Sequence, residues 1–142
     1  MTSHHPPRWR IALVREADGP AFTSATLRTS ADVARAFAFL ADRDREEFWI
    51  AALDQRHRII GTHQVSIGTL SASLVHPREF AKVLVLSSAA ACLIIHVHPS
   101  GDSTPSLEDI AITERLAKVC ELLGITLLDH VIVGVDRHHS FA

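Results

Sequence analysis

An apolar run, Cys92-Leu93-Ile94-Ile95, ends in His96-Val97-His98. A short loop, Pro99-Ser100-Gly101-Asp102, then leads to Pro105-Ser106-Leu107-Glu108-Asp109. This order constrains the fold more than any other stretch, because it reads as a strand feeding a helix. Alternate side chains of a strand point the same way, so His96 and His98 share one face, about 6.6 Å apart along the backbone. Ile95 and Val97 take the other face and enter the core. On the following helix Asp109, Ile112, Leu116, Val119, Cys120 and Leu123 fall on one stripe. A carboxylate at the head of a buried stripe is costly unless a cation or hydrogen bonds compensate it. Two imidazoles so placed can converge on one ion with Zn–N near about 2.0–2.1 Å, and Asp109 supplies a third ligand. Two histidines and one aspartate leave a fourth position for water, the arrangement of a catalytic rather than a structural zinc. Taken alone, Ser106-x-x-Asp109 reads as a capping box, and a lone His-x-His is a weak signal. Joined across Pro99 and a glycine-containing loop, they make a specific constellation.

The 142 residues suit one domain able to bury its own core. Hydrophobic residues at 47% and charged residues at 21% are those of a globular protein. A net charge of -2 gives no support to a nucleic-acid binder that relies on a basic excess. Local clustering of Arg43, Arg45, Arg56, Arg58 and Arg78 stays open. Cys92 and Cys120, far apart in sequence and each in an apolar context, read as small buried hydrophobes rather than a disulfide. No segment reaches the roughly 20 apolar residues of a membrane span, and MTSHHPPRWR has no apolar run of signal-peptide length. The expected location is a reducing cytoplasm. His4, His5, His138 and His139 lie near the ends and read as solvated tail residues.

Residues 1–7 read as a flexible tail and 8–142 as the domain. Trp9-Arg10-Ile11-Ala12-Leu13-Val14 alternates enough for a strand, and Asp18-Gly19-Pro20 turns the chain. Thr29 and Asp32 can box the start of a helix carrying Val33, Phe37 and Leu40. Phe48-Trp49-Ile50-Ala51-Ala52-Leu53 is apolar on both faces, as in a central strand, and 58–66 returns as a second one. Pro77 opens a helix expected to reach about Ala90. A strand over 92–98 follows, then a helix from Pro105 or Ser106 to Leu123 stopped by Gly124, and a last strand over 125–133. The order predicts an α/β sandwich of two or three layers around one mixed sheet flanked by helices.

Ser106 and Asp109 follow His98 by eight and eleven residues, the pattern of the JAMM/MPN-plus metalloprotease motif. More closely, His98-Pro99-Ser100-Gly101-Asp102 with Thr104-Pro105-Ser106 resembles the RadC-like JAB domain family. The resemblance extends to Asp44-Arg45-Glu46-Glu47-Phe48, Val65-Ser66-Ile67-Gly68-Thr69-Leu70, Val75-His76-Pro77-Arg78-Glu79 and Leu128-Asp129-His130-Val131-Ile132-Val133-Gly134. It therefore covers the chain from about residue 28 to its end. It implies a JAB/MPN-like domain with zinc on His96, His98 and Asp109. It also implies that Ser106 is a hydrogen-bonding or transition-state residue and that Glu46, from the family's Arg-Glu-x-Phe signature, is general base. Periodicity does not decide between Glu46 and Glu47, which head the two faces of one strand. Val97 stands where the family usually has asparagine, and no room is seen for the helix-hairpin-helix region of longer members.

Zinc-assisted hydrolysis of a peptide or isopeptide bond is the expected activity, with a peptide or protein as substrate. A zinc deaminase would need His-x-Glu followed by Pro-Cys-x-x-Cys, and neither occurs. The rival is a binding module of DNA repair or mobile elements in which zinc is structural. His76 and His130 read as satisfied structural histidines, and Gly68 as a tight turn or close backbone approach near the site.

Overall fold

The computed structural model describes residues 2–16, 27–42, 44–68 and 75–142. Its five strands are β1 (Glu46–Leu53), β2 (Ile59–Gly68), β3 (Ala91–Val97), β4 (Thr126–Gly134) and β5 (Arg137–Ser140). They lie in the order β2-β1-β3-β4-β5. β3 and β4 are parallel and every other pair is antiparallel, so the sheet is mixed. Helices α1 (Ser30–Ala36), α2 (Pro77–Leu86) and α3 (Leu107–Leu123) and a 3-10 turn, Ala38–Asp42, complete the domain.

Helix α1 and the 3-10 turn press Val33, Phe37 and Leu40 against Leu93, Ile95 and Val97 on one face. On the other, Phe80 and Leu84 of α2 and Leu116 and Cys120 of α3 cover Phe48, Ile50, Cys92 and Ile94. The result is a three-layer α/β sandwich whose central strand β3 is buried at every residue. Each fully buried side chain of this size contributes about 1.5–3 kcal/mol. Ile95 and Val97 enter the core as their alternation requires, and His96 points to the α2–α3 side. Asp109, Leu116 and Cys120 of the α3 stripe are buried, but Leu123 is exposed, beside the C-cap where the helix clears the sheet.

The helix ends follow local rules. Thr29 and Asp32 form the capping box of α1. His76 Nδ1 accepts from Arg78 N at 3.1 Å, capping α2 as a structural histidine. Gly124, at φ 70, closes α3 in the left-handed conformation that glycine adopts without strain.

Four expectations are corrected. Residues 9–14 join no strand, and their apolar side chains are exposed, because they find no partner edge among the described residues. Helix α2 stops at Leu86, not near Ala90, because Ser88 turns left-handed at φ 55. His138 and His139 are not tail residues. They lie on β5, returned by the Val135-Asp136 turn, and His138 Nε2 is 3.3 Å from Ser30 Oγ. The last expected strand is a pair, β4 and β5. The turn at residues 18–20 lies outside the described residues.

Candidate metal centre

The strand register assembles one end of the sheet. Glu47 pairs with Val97 and Phe48 with His96 across β1 and β3, so Glu46, two residues from Phe48, shares the His96 face. Glu46 also pairs with Gly68, whose backbone therefore lies beside the site. His98 follows β3 directly, and Asp109 is the third residue of α3. Donor atoms of Glu46, His96, His98 and Asp109 all lie within 4.8 Å of one another, the one such metal-ligand cluster among the described residues. The rings of His96 and His98 stand perpendicular with centroids 4.8 Å apart. The structure thus brings together His96, His98, Asp109 and Glu46. Glu47 lies on the opposite face, accepting from Trp49 Nε1 at 3.0 Å and Gln64 Nε2 at 2.9 Å.

Ser106 caps α3. Its Oγ accepts from Asp109 N at 3.1 Å while its own N–H donates to Asp109 Oδ2 at 2.8 Å, so the capping box is formed in full. The Ser106 hydroxyl proton is free of that duty. Capping and a role in the site are compatible, since the box fixes the Asp109 carboxylate at the end of the sheet.

Proton counting shows what the cluster lacks. His98 Nδ1 lies 3.0 Å from the Asp102 carbonyl, which can only accept, so Nδ1 carries the proton. A neutral ring then presents the Nε2 lone pair to Asp109 Oδ2, an acceptor 2.9 Å away. His96 faces carboxylates with both nitrogens, Nε2 at 2.6 Å from Glu46 Oε1 and Nδ1 at 3.2 Å from Asp109 Oδ1. The second contact is poorly aligned, leaving Nδ1 buried without a hydrogen bond. With neutral rings the cluster has two lone-pair conflicts and two negative charges in a site where His96 and Asp109 are almost fully buried. Two positive charges resolve both, and one divalent cation supplies them. The donor set of two imidazoles and carboxylate suits zinc, and the Asp102 carbonyl on the far nitrogen of His98 orients that ring as the outer contacts of zinc histidines do.

The same pressure shows in the protonation equilibria. Burial pushes His96 towards the neutral form, but the Asp109 and Glu46 carboxylates outweigh it and raise its pKa above the ordinary value. Burial likewise opposes charge on Asp109, yet His96, His98 and the Ser106 N–H hold its carboxyl well below the usual range.

Three supports had weak sequence signals. Thr113, four residues after Asp109 and so on the same helix face, donates from Oγ1 to the Asp109 carbonyl at 2.6 Å. Its oxygen then accepts from His130 Nδ1 at 2.6 Å, which fixes that ring as the Nδ1–H tautomer. Burial, with the charge of His96, pushes His130 down to about 3, so it stays neutral. It stacks behind His96 at 5.8 Å between centroids, but only its Nδ1 is satisfied: Nε2 is buried with no hydrogen-bond partner, so the expected satisfied histidine is met only in part. Gly101 and Gly134 clamp the loop carrying His98. Val135 N donates to Gly101 O at 3.2 Å, and a Cβ on Gly134 would fall 2.4 Å from that oxygen. Asp102 holds the loop from within, accepting from Thr104 N and Oγ1.

Arg45, Arg56 and Arg58 do not share one patch. Arg45 precedes β1, whereas Arg56 and Arg58 follow its other end, where Arg58 pairs with Asp54 at 2.9 Å. Arg43 lies outside the described residues. No helix among those residues is long and apolar enough to cross a membrane.

A mixed five-stranded sheet between helices, with a His, His, Asp and Glu cluster at its strand ends, defines a JAB-type α/β domain. The chain belongs to the RadC-like JAB domain family, whose model matches residues 27–142. It is 43% identical over 127 residues to a UPF0758 protein of Desulforamulus reducens, covering 89% of this chain and 56% of that protein. To a UPF0758 protein of Pelobacter propionicus it is 51% identical over 102 residues, 72% and 44% of the two chains. A third relative, UPF0758 protein COPRO5265_1522 of Coprothermobacter proteolyticus, is 46% identical over 105 residues, 74% and 45%. The chain spans about half the length of these curated relatives.

Proposed function

We propose that this chain is a zinc-dependent hydrolase of the JAMM type that cleaves a peptide or isopeptide bond in a peptide or protein substrate. The observation that carries the reading is the convergence of Glu46, His96, His98 and Asp109 within 4.8 Å, with two positive charges missing from their hydrogen-bond accounting. His96, His98 and Asp109 would hold the metal. Bound zinc supplies a Lewis acid and a water nucleophile at neutral pH. Glu46, half-buried at the start of β1, takes the proton of the attacking water and passes it to the leaving nitrogen. Ser106 donates its free hydroxyl proton to the oxygen on which negative charge develops. Water and amide thereby give a carboxylic acid and an amine, with no other reactant.

A protein substrate fits better than nucleic acid, given a net charge of -2 and arginines at opposite ends of β1. Cys92 and Cys120 remain free thiols with sulfurs 3.8 Å apart, which suits the reducing cytoplasm.

The test combines a fluorogenic peptide library with metal analysis. The wild type is expected to show turnover that a chelator abolishes and zinc restores. Glu46→Gln should keep the metal and lose at least about 100-fold in kcat. Loss of zinc in Glu46→Gln would reassign the roles. Salt-sensitive binding of labelled DNA with no turnover by the zinc-loaded protein would favour the binding-module reading instead.

A further inference from the structure

We propose, on the reading of His96 as a metal ligand, that His130 is a positioning residue for the metal centre: backed by Phe141, its ring fixes the plane of the His96 imidazole. A histidine ring has a broad χ2 well, so a contact beyond the ion must hold it if one nitrogen is to stay aimed. For His98 that contact is the Asp102 carbonyl, 3.0 Å from Nδ1. His96 has no counterpart. Its Nε2 faces Glu46 and its Nδ1 faces Asp109, both carboxylates of the cluster itself. Among the described residues no hydrogen bond from outside the cluster reaches its ring nitrogens.

Rings hold it instead. Phe48 meets the His96 ring at 5.4 Å between centroids and 50°, and His130 stacks on it at 5.8 Å and 29°. Phe48 also touches His130 edge-on at 5.7 Å, so the three rings form one cluster. Offset and edge-on pairs of this kind have a preferred geometry, which is what lets packing set an angle. His130 is itself fixed. Its Nδ1 donates to Thr113 Oγ1 at 2.6 Å, and Phe141 stacks on it at 4.6 Å and 14°. Its Nε2 is buried without a partner, so the Thr113 bond and the Phe141 face are what hold the ring. The Phe141 N–H in turn donates to the His130 carbonyl at 3.1 Å and to Asp129 Oδ1 at 3.0 Å. The chain just after β5 thus braces a ligand carried by β3. One ligand is aimed by a carbonyl and the other by a stack of rings.

Zinc and cobalt(II) titrations of the full chain test this. The visible bands of bound cobalt report the geometry of its ligands, whereas a packing defect alone lowers the melting temperature and leaves them in place. Phe141→Ala, at a half-buried position outside the strands, should stay folded, bind zinc about 10-fold more weakly in chelator competition and shift the cobalt bands. His130→Phe keeps a flat ring without its nitrogens and should keep the wild-type bands, whereas His130→Leu should shift them. Should Phe141→Ala not fold, the two His130 variants decide the matter. A folded Phe141→Ala with wild-type affinity and bands overturns the positioning role. So does a His130→Phe protein whose bands move as far as those of His130→Leu, because the Thr113 bond and not the ring face would then act on the site. In both cases the wild type still binds metal and the ligand reading stands. A wild type that binds neither metal would refute that reading, and the positioning role with it.

Discussion

Replacing Asp109 by asparagine separates two jobs that one carboxylate performs. The carboxylate receives the Ser106 N–H at 2.8 Å, and it faces His96 at 3.2 Å and His98 at 2.9 Å. Asparagine keeps an acceptor for the Ser106 N–H but not the charge. In metal-free protein it should cost only the helix-dipole contribution and part of a charge-assisted bond, about 1–2 kcal/mol. Asp109→Ala orphans the half-buried Ser106 N–H as well and should cost about 2–4 kcal/mol. At about 2–4 °C per kcal/mol for a chain of this length, these are losses of several degrees and on the order of 10 °C.

Zinc should respond differently. At a concentration a hundred times the wild-type Kd, it stabilises the folded state by about 2.7 kcal/mol, or about 5–11 °C. Removing even an outer contact of a zinc ligand costs about 10–100-fold in affinity, and a direct ligand costs more. At a hundredfold loss the same zinc merely equals Kd, and the stabilisation falls to about 0.4 kcal/mol, roughly 1 °C. Thermal unfolding with and without zinc gives both numbers. An asparagine variant with the full wild-type zinc shift would show that Asp109 is a cap and not a ligand.

Other consequences concern the loop, the pH dependence and the thiols. Gly134→Ala would force a Cβ to within 2.4 Å of the Gly101 carbonyl and 2.9 Å of Arg137 Cγ, so it should lower stability by at least about 2 kcal/mol and weaken zinc. Urea unfolding checks it, and an unchanged midpoint would contradict the clamp. In metal-free protein the raised His96 pKa gives stability that is complete below about pH 6.5 and lost as pH rises through the folded value. The depressed Asp109 pKa gives stability present above about pH 4 and lost as pH falls. His130, held neutral by burial, acts in the opposite sense between about pH 6 and pH 8. Relative to chelated Glu46→Gln, in which His130 is unchanged but His96 faces one carboxylate fewer, chelated wild type should therefore lose stability from about pH 6 to about pH 8, and zinc should reverse that difference because its ligands bind deprotonated. A flat difference profile in chelator would count against the proton counting. Cys92→Ala opens a small cavity beside Ile94 and should cost about 1 kcal/mol or more, with no change in zinc content.

The elements that carried their own boundary marks were legible. Gly124 ended α3, Pro77 opened α2, and Thr29 with Asp32 opened α1. The His-x-His and Asp109 positions were legible for the same reason, being tied to a strand end and a helix start. What depended on a distant partner was not legible. Glu46 and Glu47 are equivalent in sequence, and only the pairing of Phe48 with His96 puts Glu46 on the site face. Strand β5, Arg137-His138-His139-Ser140, has no apolar alternation. Its end is held by Asp129, which accepts from Phe141 N and Ala142 N at 3.0 Å each. Residues 9–14 have the alternation of a strand but pair with no strand among the described residues, which shows that periodicity specifies a face and not a ladder.

The central claim is that one divalent ion sits among His96, His98 and Asp109. Elemental analysis of protein purified from zinc-sufficient medium, beside His98→Ala prepared the same way, tests it most directly. The account predicts about one zinc per chain in the wild type and less than about a tenth of that in the variant. Wild-type protein that is folded and free of metal, or a variant that retains the full complement, would contradict it.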